Sequence, residues 1–211
     1  MTGAPDFLLF LAAAAAIAVS PGPGIFYVAA RTLAGGRGEG LASSLGTGLG
    51  GLVHVLAGTG GVSALMLASA EAFAVLKIAG ALYLIWLGVG TVREAGVAPP
   101  PRIVAAGAWR AFRDGIVVEA LNPKTAAFFL AFLPQFTDPS AGGVWLQFLI
   151  LGLISVTLNT AADVVVAFAV SRARSMTILR PRLLRRLRQG AGVVITSLGL
   201  SLLLVRRPAT L

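Results

Sequence analysis

The stretch Ser20-Pro21-Gly22-Pro23-Gly24 interrupts an apolar run that extends from residue 7 to residue 30. About a hundred residues later, Asn122-Pro123-Lys124 interrupts a second apolar run, 115–133. Because proline lacks the backbone donor and clashes with the preceding turn, each run predicts two half-helices rather than one continuous helix. In lipid, the freed backbone groups must be satisfied by protein, ion or water. Two interrupted helices in matching positions indicate the binding site of a transporter.

The composition places the chain in lipid rather than in water. Hydrophobic residues make up 57% of it and charged residues 12%, with a mean hydropathy of +0.89, whereas soluble domains are roughly 25% charged. The absence of cysteine excludes disulfides, thiolate metal sites and dithiol redox chemistry. The net charge of +9 does not indicate nucleic-acid binding, because the basic residues lie between the apolar runs and not among exposed aromatic residues.

Six segments are apolar and long enough to cross a bilayer, for which a helix needs about 20 residues. We place them at 7–30, 41–67, 72–92, 114–133, 145–170 and 190–205. We therefore expect residues 1–211 to form a single polytopic transmembrane domain. The middle linker, 93–113, contains Ala98-Pro99-Pro100-Pro101 and divides the chain into a first repeat, 7–92, and a second repeat, 114–205.

Arginine residues concentrate in alternate loops and predict the orientation. They lie in the loops 31–40, 93–113 and 171–189, which the positive-inside rule assigns to the cytoplasm. The N-terminus is then outside the inner (plasma) membrane of a bacterium, although Arg206 and Arg207 after the sixth span go against this pattern. Three spans in each half force the halves into opposite orientations. The predicted fold is an all-α membrane protein of two inverted three-helix repeats, with broken helices 1 and 4 in corresponding positions.

Several short motifs occur along the chain in a fixed order. They are Ser20-Pro21-Gly22-Pro23, Gly80-Ala81-Leu82-Tyr83-Leu84-Ile85-Trp86-Leu87-Gly88, Asn122-Pro123-Lys124 with Phe128-Phe129, and Leu133-Pro134-Gln135-Phe136. Together they resemble the LysE/RhtB family of amino-acid exporters over almost the whole chain. The resemblance implies efflux of amino acids or their derivatives, driven by proton exchange, without identifying the substrate.

The candidate substrate-binding residues lie at the two breaks. They are Pro21, Gly22, Pro23 and Gly24 at the first break, and Glu119, Asn122, Pro123 and Lys124 at the second. Backbone amides at a restarted helix can hold a carboxylate, unless the first break is a plain kink. Lys124 attracts the same carboxylate or extends its amine to water. Glu119 contacts a substrate amine or is a solvated acid at the cytoplasmic mouth, and Asn122 offers both a donor and an acceptor.

Two further ionisable residues inside the apolar runs are candidates for proton coupling. Asp163 is the sharper one, because a charged group at the centre of a membrane helix costs at least about 2.5–3.5 kcal/mol. It either exchanges a proton during transport or pairs statically with Lys124. His54 is either a proton relay or a hydrogen-bonded packing residue. With one histidine and no cysteine, we expect no metal site and no cofactor.

The sequence therefore predicts a proton-coupled exporter with its substrate bound near the midplane, between helices 1, 4 and 5. Two alternatives are an inorganic-ion exporter on the same architecture and a membrane scaffold that transports nothing. An enzyme is not expected, since the single histidine has no evident serine or acid partner. The expected partners are an amino acid, protons and the lipid bilayer. A small-residue surface over 46–51 packs either within the protomer or across a homodimer.

Overall fold

The chain is all-helical in a computed structural model that describes residues 4–96, 104–173 and 181–204. The α-helices are α1 (Ala4–Val19), α2 (Pro23–Ala57), α3 (Ser63–Ala68), α4 (Ala70–Arg93), α5 (Ala108–Ala120), α6 (Pro123–Ala127), α7 (Val144–Ala173) and α8 (Pro181–Leu204). A π-helical turn, Gly58–Val62, joins α2 to α3. A second π-helical turn, Phe128–Phe132, and a 3-10 turn, Leu133–Phe136, extend α6. The predicted all-α class is confirmed.

Among the described residues, three helical stretches are long and apolar enough to cross a membrane. They are Pro23–Leu65, Glu71–Gly96 and Val144–Arg172. The pair Ala108–Ala120 and Pro123–Phe136, bent by 41°, makes a fourth if it is counted as one span. Two shorter apolar helices, Pro5–Val19 and Arg188–Leu204, lie near the two ends of the chain. The linker prolines at 99–101 and the dissenting Arg206 and Arg207 lie outside the described residues.

Both predicted helix breaks are present, and in each a proline begins the next helix. Pro23 is the first residue of α2 and Pro123 is the first residue of α6. A missing backbone donor has no cost at this position, because the first turn of a helix has no intrahelical partner for it. The preceding residue, Asn122, accepts a hydrogen bond at Oδ1 from the backbone N–H of Lys124 at 3.0 Å.

The ten-residue loop predicted at 31–40 is wrong, because these residues are helical except at Gly36, where φ is 78° and ψ is −166°. The Thr32 hydroxyl lies against Gly40, whereas residues eight apart in a straight helix are separated by about 12 Å. The chain therefore folds back at a single glycine. We call residues 23–35 the first arm of α2 and residues 37–57 its second arm.

The two broken segments lie side by side and run in opposite directions. Their contacts join Phe10 to Phe136, Ser20 to Lys124, Gly24 to Glu119 and Arg31 to Asp114. The numbering rises along one segment as it falls along the other, so α1 and the first arm are antiparallel to α5 and α6. The two breaks consequently face each other at the centre of the pair.

Two more antiparallel pairs flank this centre. The second arm of α2 packs against α7, with contacts that join Thr47 to Asp163, Gly51 to Val156 and Gly58 to Phe148. Helix α4 packs against α8, where Gly88 and Gly192 meet backbone to backbone and Gly199 meets Ala81. The small-residue surface over 46–51 packs within the protomer, because Gly46 and Gly50 contact α5 while Gly48 and Gly51 contact α7.

Candidate functional site

Lys124 connects the second break to the first. Its side chain is 3% exposed. The ammonium donates to the carbonyl oxygens of Ile17 at 3.1 Å and Ser20 at 2.9 Å. These carbonyls lie at the C-terminal end of α1, where a helix leaves its acceptors unpaired and favours a cation. Lys124 forms no ion pair with Asp163 in the part of the chain that the structure describes, so the predicted alternative of static pairing is wrong.

Glu119, on the last turn of α5, lies between the two breaks. It is 1% exposed, so the alternative of a solvated acid at the mouth is wrong. Its Oε1 accepts from the Thr125 hydroxyl at 2.6 Å and its Oε2 accepts from the Asn122 amide at 2.8 Å. The first turn of α2 packs against this carboxylate, and a Cβ on Gly24 would lie 2.7 Å from Oε2. Glycine at position 24 therefore permits the close approach of the two breaks.

His54 contacts the second break from the second arm of α2. Its Nε2 lies 2.8 Å from the backbone carbonyl oxygen of Glu119. Because a carbonyl only accepts, Nε2 carries the proton in this arrangement. His54 thus satisfies a carbonyl at the end of α5, much as Lys124 satisfies those at the end of α1. Its ring also packs against Phe129, with centroids 5.9 Å apart.

Asp163 on α7 makes no direct hydrogen bond to either break within the described part of the chain, but it is close enough to interact electrostatically with Glu119 and Lys124. It is fully buried, and its Oδ2 accepts from the Thr47 hydroxyl at 2.7 Å. Its Oδ1 has no hydrogen-bond partner among the residues that the structure describes. A buried carboxylate oxygen without a partner is costly, which makes this residue sensitive to any proton, ion or hydroxyl that approaches it.

A small cavity of about 20 Å³ lies between α1, the second arm of α2, the second break and α7. Its polar lining comes from Thr47, Glu119, Thr125, Ser155 and Asn159, and the rest of its wall is small or apolar. A single water molecule needs about 10–15 Å³, so the cavity is far too small for an amino acid. The site is closed in this structure. No group of three or more metal-binding side chains occurs among the described residues.

The structure brings together most of the predicted substrate-binding residues. Gly22, Gly24, Glu119, Asn122 and Lys124 are buried in one cluster, which Pro21, Pro23 and Pro123 frame. The His54 ring contacts this cluster at the backbone carbonyl of Glu119. Asp163 contacts the lining of the cavity through the Thr47 hydroxyl.

The sequence analysis missed two hydroxyl groups of the site, those of Thr47 and Thr125. Thr125 follows Pro123 by two residues and so belongs to the same first turn as Lys124, a spacing that could have identified it. Thr47 lies among the glycines of 46–51, and we interpreted this stretch only as a packing surface.

Long apolar helices that are broken where buried charges meet are characteristic of membrane transporters. Residues 15–206 match the family model "LysE type translocator", and the chain belongs to this family. This confirms the resemblance drawn from the motifs. It also confirms the prediction of a transporter rather than an enzyme.

The relatives include proteins named for amino-acid efflux. The chain is 33% identical over 153 residues to a homoserine/homoserine lactone efflux protein of Salmonella typhimurium, covering 71% of this chain and 73% of the relative. It is 30% identical over 161 residues to a leucine efflux protein of Klebsiella pneumoniae, covering 72% of each. An uncharacterized membrane protein of Pseudomonas aeruginosa is 30% identical over 206 residues, 95% of each chain. No solved structure matches the chain.

Proposed function

We propose that the protein is a secondary active exporter of amino acids or their derivatives across the bacterial inner membrane, working by proton antiport. The observation that carries the proposal is the buried Glu119 carboxylate, which lies where two helix breaks meet and lines the small cavity. A fully buried acid in a membrane protein marks a substrate or ion pathway by default. The names of the homoserine and leucine efflux relatives support amino acids as the cargo.

We propose further that the chain crosses the membrane six times, as two inverted repeats with the N-terminus outside. The three antiparallel pairs described above support this arrangement. Each pair joins a segment of the first half to the segment of the same rank in the second half, as a two-fold axis in the membrane plane requires. The fold-back at Gly36 supports more than four membrane spans. A continuous helix of 43 residues would be about 65 Å long, about twice the length needed to cross the bilayer core, and the fold-back divides this stretch into two arms.

The substrate is proposed to bind between the two breaks after the helices around the cavity part. Its ammonium group takes the place of Thr125 and Asn122 as the partner of Glu119. Its carboxylate takes the place of the Ile17 and Ser20 carbonyls as the partner of Lys124, beside the backbone of Gly22 and Gly24. Each proposed contact exchanges one hydrogen-bonded arrangement for another, so no buried charge is left without a partner.

Asp163 is proposed to carry the coupled proton. Its Oδ1 has no partner in the described part of the chain, and Thr47 links this carboxylate to the wall of the cavity. Proton binding removes the cost of a buried, half-satisfied carboxylate. The membrane potential supplies about 2.3 kcal/mol per charge per 100 mV, which biases a one-proton cycle towards inward proton flow and outward substrate flow.

Transport by the purified protein in proteoliposomes tests the proposal, with homoserine and leucine in the first panel. Asp163→Asn should retain downhill exchange of the substrate but lose accumulation driven by a pH gradient. Glu71→Gln, which changes an exposed carboxylate at the start of α4, is the matched control and should behave as the parent. The proposed mechanism fails if no amino acid is moved, or if Asp163→Asn still accumulates substrate against its gradient.

A further inference from the structure

A second cluster of charged side chains lies along the same broken helices, away from the breaks. Its centre is Arg31, which is 7% exposed. The guanidinium donates to Asp114 Oδ2 at 2.8 Å and to the Tyr27 hydroxyl at 3.1 Å. Glu39, 5% exposed, lies 3.9 Å from the same guanidinium. We call Tyr27, Arg31, Glu39 and Asp114 the ion cluster.

The ion cluster ties together four stretches of chain. Arg31 and Tyr27 belong to the first arm of α2, and Glu39 belongs to the second arm. The Glu39 Oε1 accepts from the backbone N–H groups of Ala106 at 2.9 Å and Gly107 at 2.7 Å, immediately before α5. The Tyr27 hydroxyl donates to a backbone carbonyl of α5, that of Ala111, at 2.8 Å. These are the stretches that must separate if a path is to open between α2 and α5.

The ion cluster lies at one end of the proposed substrate path to Glu119. Asp114 precedes Glu119 by about 7.5 Å along the axis of α5, at 1.5 Å per residue. Arg110 and Arg113 of α5 and Arg37 beside the reversal of α2 lie towards this end, which the positive-inside rule assigns to the cytoplasm. The opposite end of the broken pair is closed by aromatic rings instead. There the centroids of Phe10 and Phe136 are 5.5 Å apart and those of Phe132 and Phe136 are 5.2 Å apart.

The pair of Arg31 and Asp114 is suited to open and close, because Arg31 is buried while the Asp114 side chain is 35% exposed. The cost of withdrawing the charges from water offsets much of their attraction, so the closed pair contributes little net stability. When water enters between the helices, hydration of the separated charges replaces that attraction. The cluster therefore holds α2 against α5 in one geometry and yet separates without a large loss of free energy.

We propose that the ion cluster is the cytoplasmic gate of the transporter, and that Arg31 and Asp114 separate to admit the substrate to Glu119. The inference rests on the proposed function, because an exporter must load its substrate from the cytoplasm. The aromatic end then closes the path on the outside while the ion cluster is open. In this structure both ends are closed at once.

The absence of cysteine from the natural sequence allows a direct test. Ser155, which lines the cavity and donates only to Leu151 of its own helix, is replaced by cysteine as a reporter. A thiol reagent that does not cross membranes is added to the cytoplasmic face of inverted vesicles. In this background, Asp114→Asn and Arg31→Gln should each raise the rate of labelling by about fivefold or more, the lower limit of typical coupling between sites.

Arg110→Gln is the matched control, because Arg110 also faces Asp114 Oδ2, at 3.7 Å, but its side chain is 70% exposed. It should leave the labelling rate unchanged. The gate is overturned if both cluster variants fold, as judged by monodisperse elution and an unaltered melting profile, and label no faster than the parent. If faster labelling is found in a protein that moves no amino acid, the proposed function fails and the gate stands. If the parent exports amino acids and labelling does not change, the gate alone fails.

Discussion

At the scale of single residues, the side chain of Lys124 provides hydrogen bonds for backbone groups at the point where the first helix is broken. The ammonium of Lys124 donates to two carbonyls at the end of α1, which lie away from water. At the second break, Asn122 accepts from a backbone N–H and His54 contacts a backbone carbonyl. The backbone at the two breaks is thus bonded by side chains from the opposite segment, from the adjacent arm and, at Asn122, from the same segment.

Lys124→Met should lower the free energy of unfolding by about 1–3 kcal/mol, because the Ser20 carbonyl loses the ammonium as a donor and the Ile17 carbonyl keeps only the backbone N–H of Ser20. Thermal unfolding of the purified protein in detergent measures the change. Arg113→Met replaces an exposed cation of α5 and is the control. Equal melting temperatures for Lys124→Met and the control would contradict this role of Lys124.

Thr47→Val removes the hydroxyl partner of Asp163 while it preserves the shape of the side chain. The buried carboxylate then loses the one side-chain donor that it has among the described residues, and the melting temperature should fall by an amount equivalent to about 1–3 kcal/mol. Thr157→Val is the matched control, since its exposed hydroxyl bonds only to Leu153 of its own helix. If the two valine variants have the same melting temperature, the hydrogen bond from Thr47 to Asp163 does not stabilise the protein as described.

Most of the residues at the breaks could be predicted from the sequence, because proline, glycine and an isolated charge in an apolar run are strong signals. The partners of those residues could not. Whether Lys124 faces Asp163 or the end of α1 depends on how two helices cross, and local sequence does not encode the crossing. The same limit explains why Arg31 was assigned to a cytoplasmic loop although it is buried in an ion cluster.

At the scale of elements, the reversal of α2 depends on a single glycine. Gly36 has a φ of 78°, a region that residues with a side chain rarely adopt, and it lies beside Gly35, which packs against the Glu39 side chain. Composition predicted a loop here, because four glycines and two arginines in 31–40 weaken the apolar pattern. A turn that needs only one non-helical residue leaves almost no trace in such a pattern.

Gly36→Ala should cost about 1–3 kcal/mol of stability through backbone strain, and the variant should also loosen the ion cluster that the reversal brings together. Gly38→Ala is the matched control two residues away, where an added methyl group meets nothing within 4 Å. Thermal unfolding and the Ser155→Cys labelling assay measure the two effects. An unchanged melting profile for Gly36→Ala would show that the reversal does not require glycine.

The packing of α2 on α5 requires glycine for a different reason. A Cβ on Gly50 would meet the backbone carbonyl of Ile116 and come within 3.0 Å of the Glu119 Cβ. Because backbone cannot move aside as a flexible side chain can, Gly50→Ala should cost about 1–3 kcal/mol by overpacking. Gly90→Ala on α4 has open space around it and should be neutral or stabilising. Comparable melting temperatures for the two variants would contradict the close contact.

At the scale of the whole molecule, three antiparallel pairs pack together, and two of them line the small cavity: α1 with α5 and α6, and the second arm of α2 with α7. The apolar pattern predicted the helical class and the region of most helices, and the loop arginines predicted an orientation. Neither could predict that each segment packs against its counterpart in the other half, since contacts such as Thr47 with Asp163 or Gly88 with Gly192 join residues about a hundred positions apart. That arrangement places the two breaks, and the charges they carry, at the centre.

The central claim is that an amino acid is carried at the junction of the two breaks, with its ammonium group on Glu119. The most direct measurement is counterflow of labelled homoserine or leucine in proteoliposomes that hold the unlabelled compound, compared between the parent, Glu119→Gln and Glu71→Gln. We predict that the parent and Glu71→Gln exchange substrate, and that Glu119→Gln, although folded, loses exchange by at least about tenfold, equivalent to 1.4 kcal/mol of binding free energy. Exchange at the parental rate in Glu119→Gln would contradict the account.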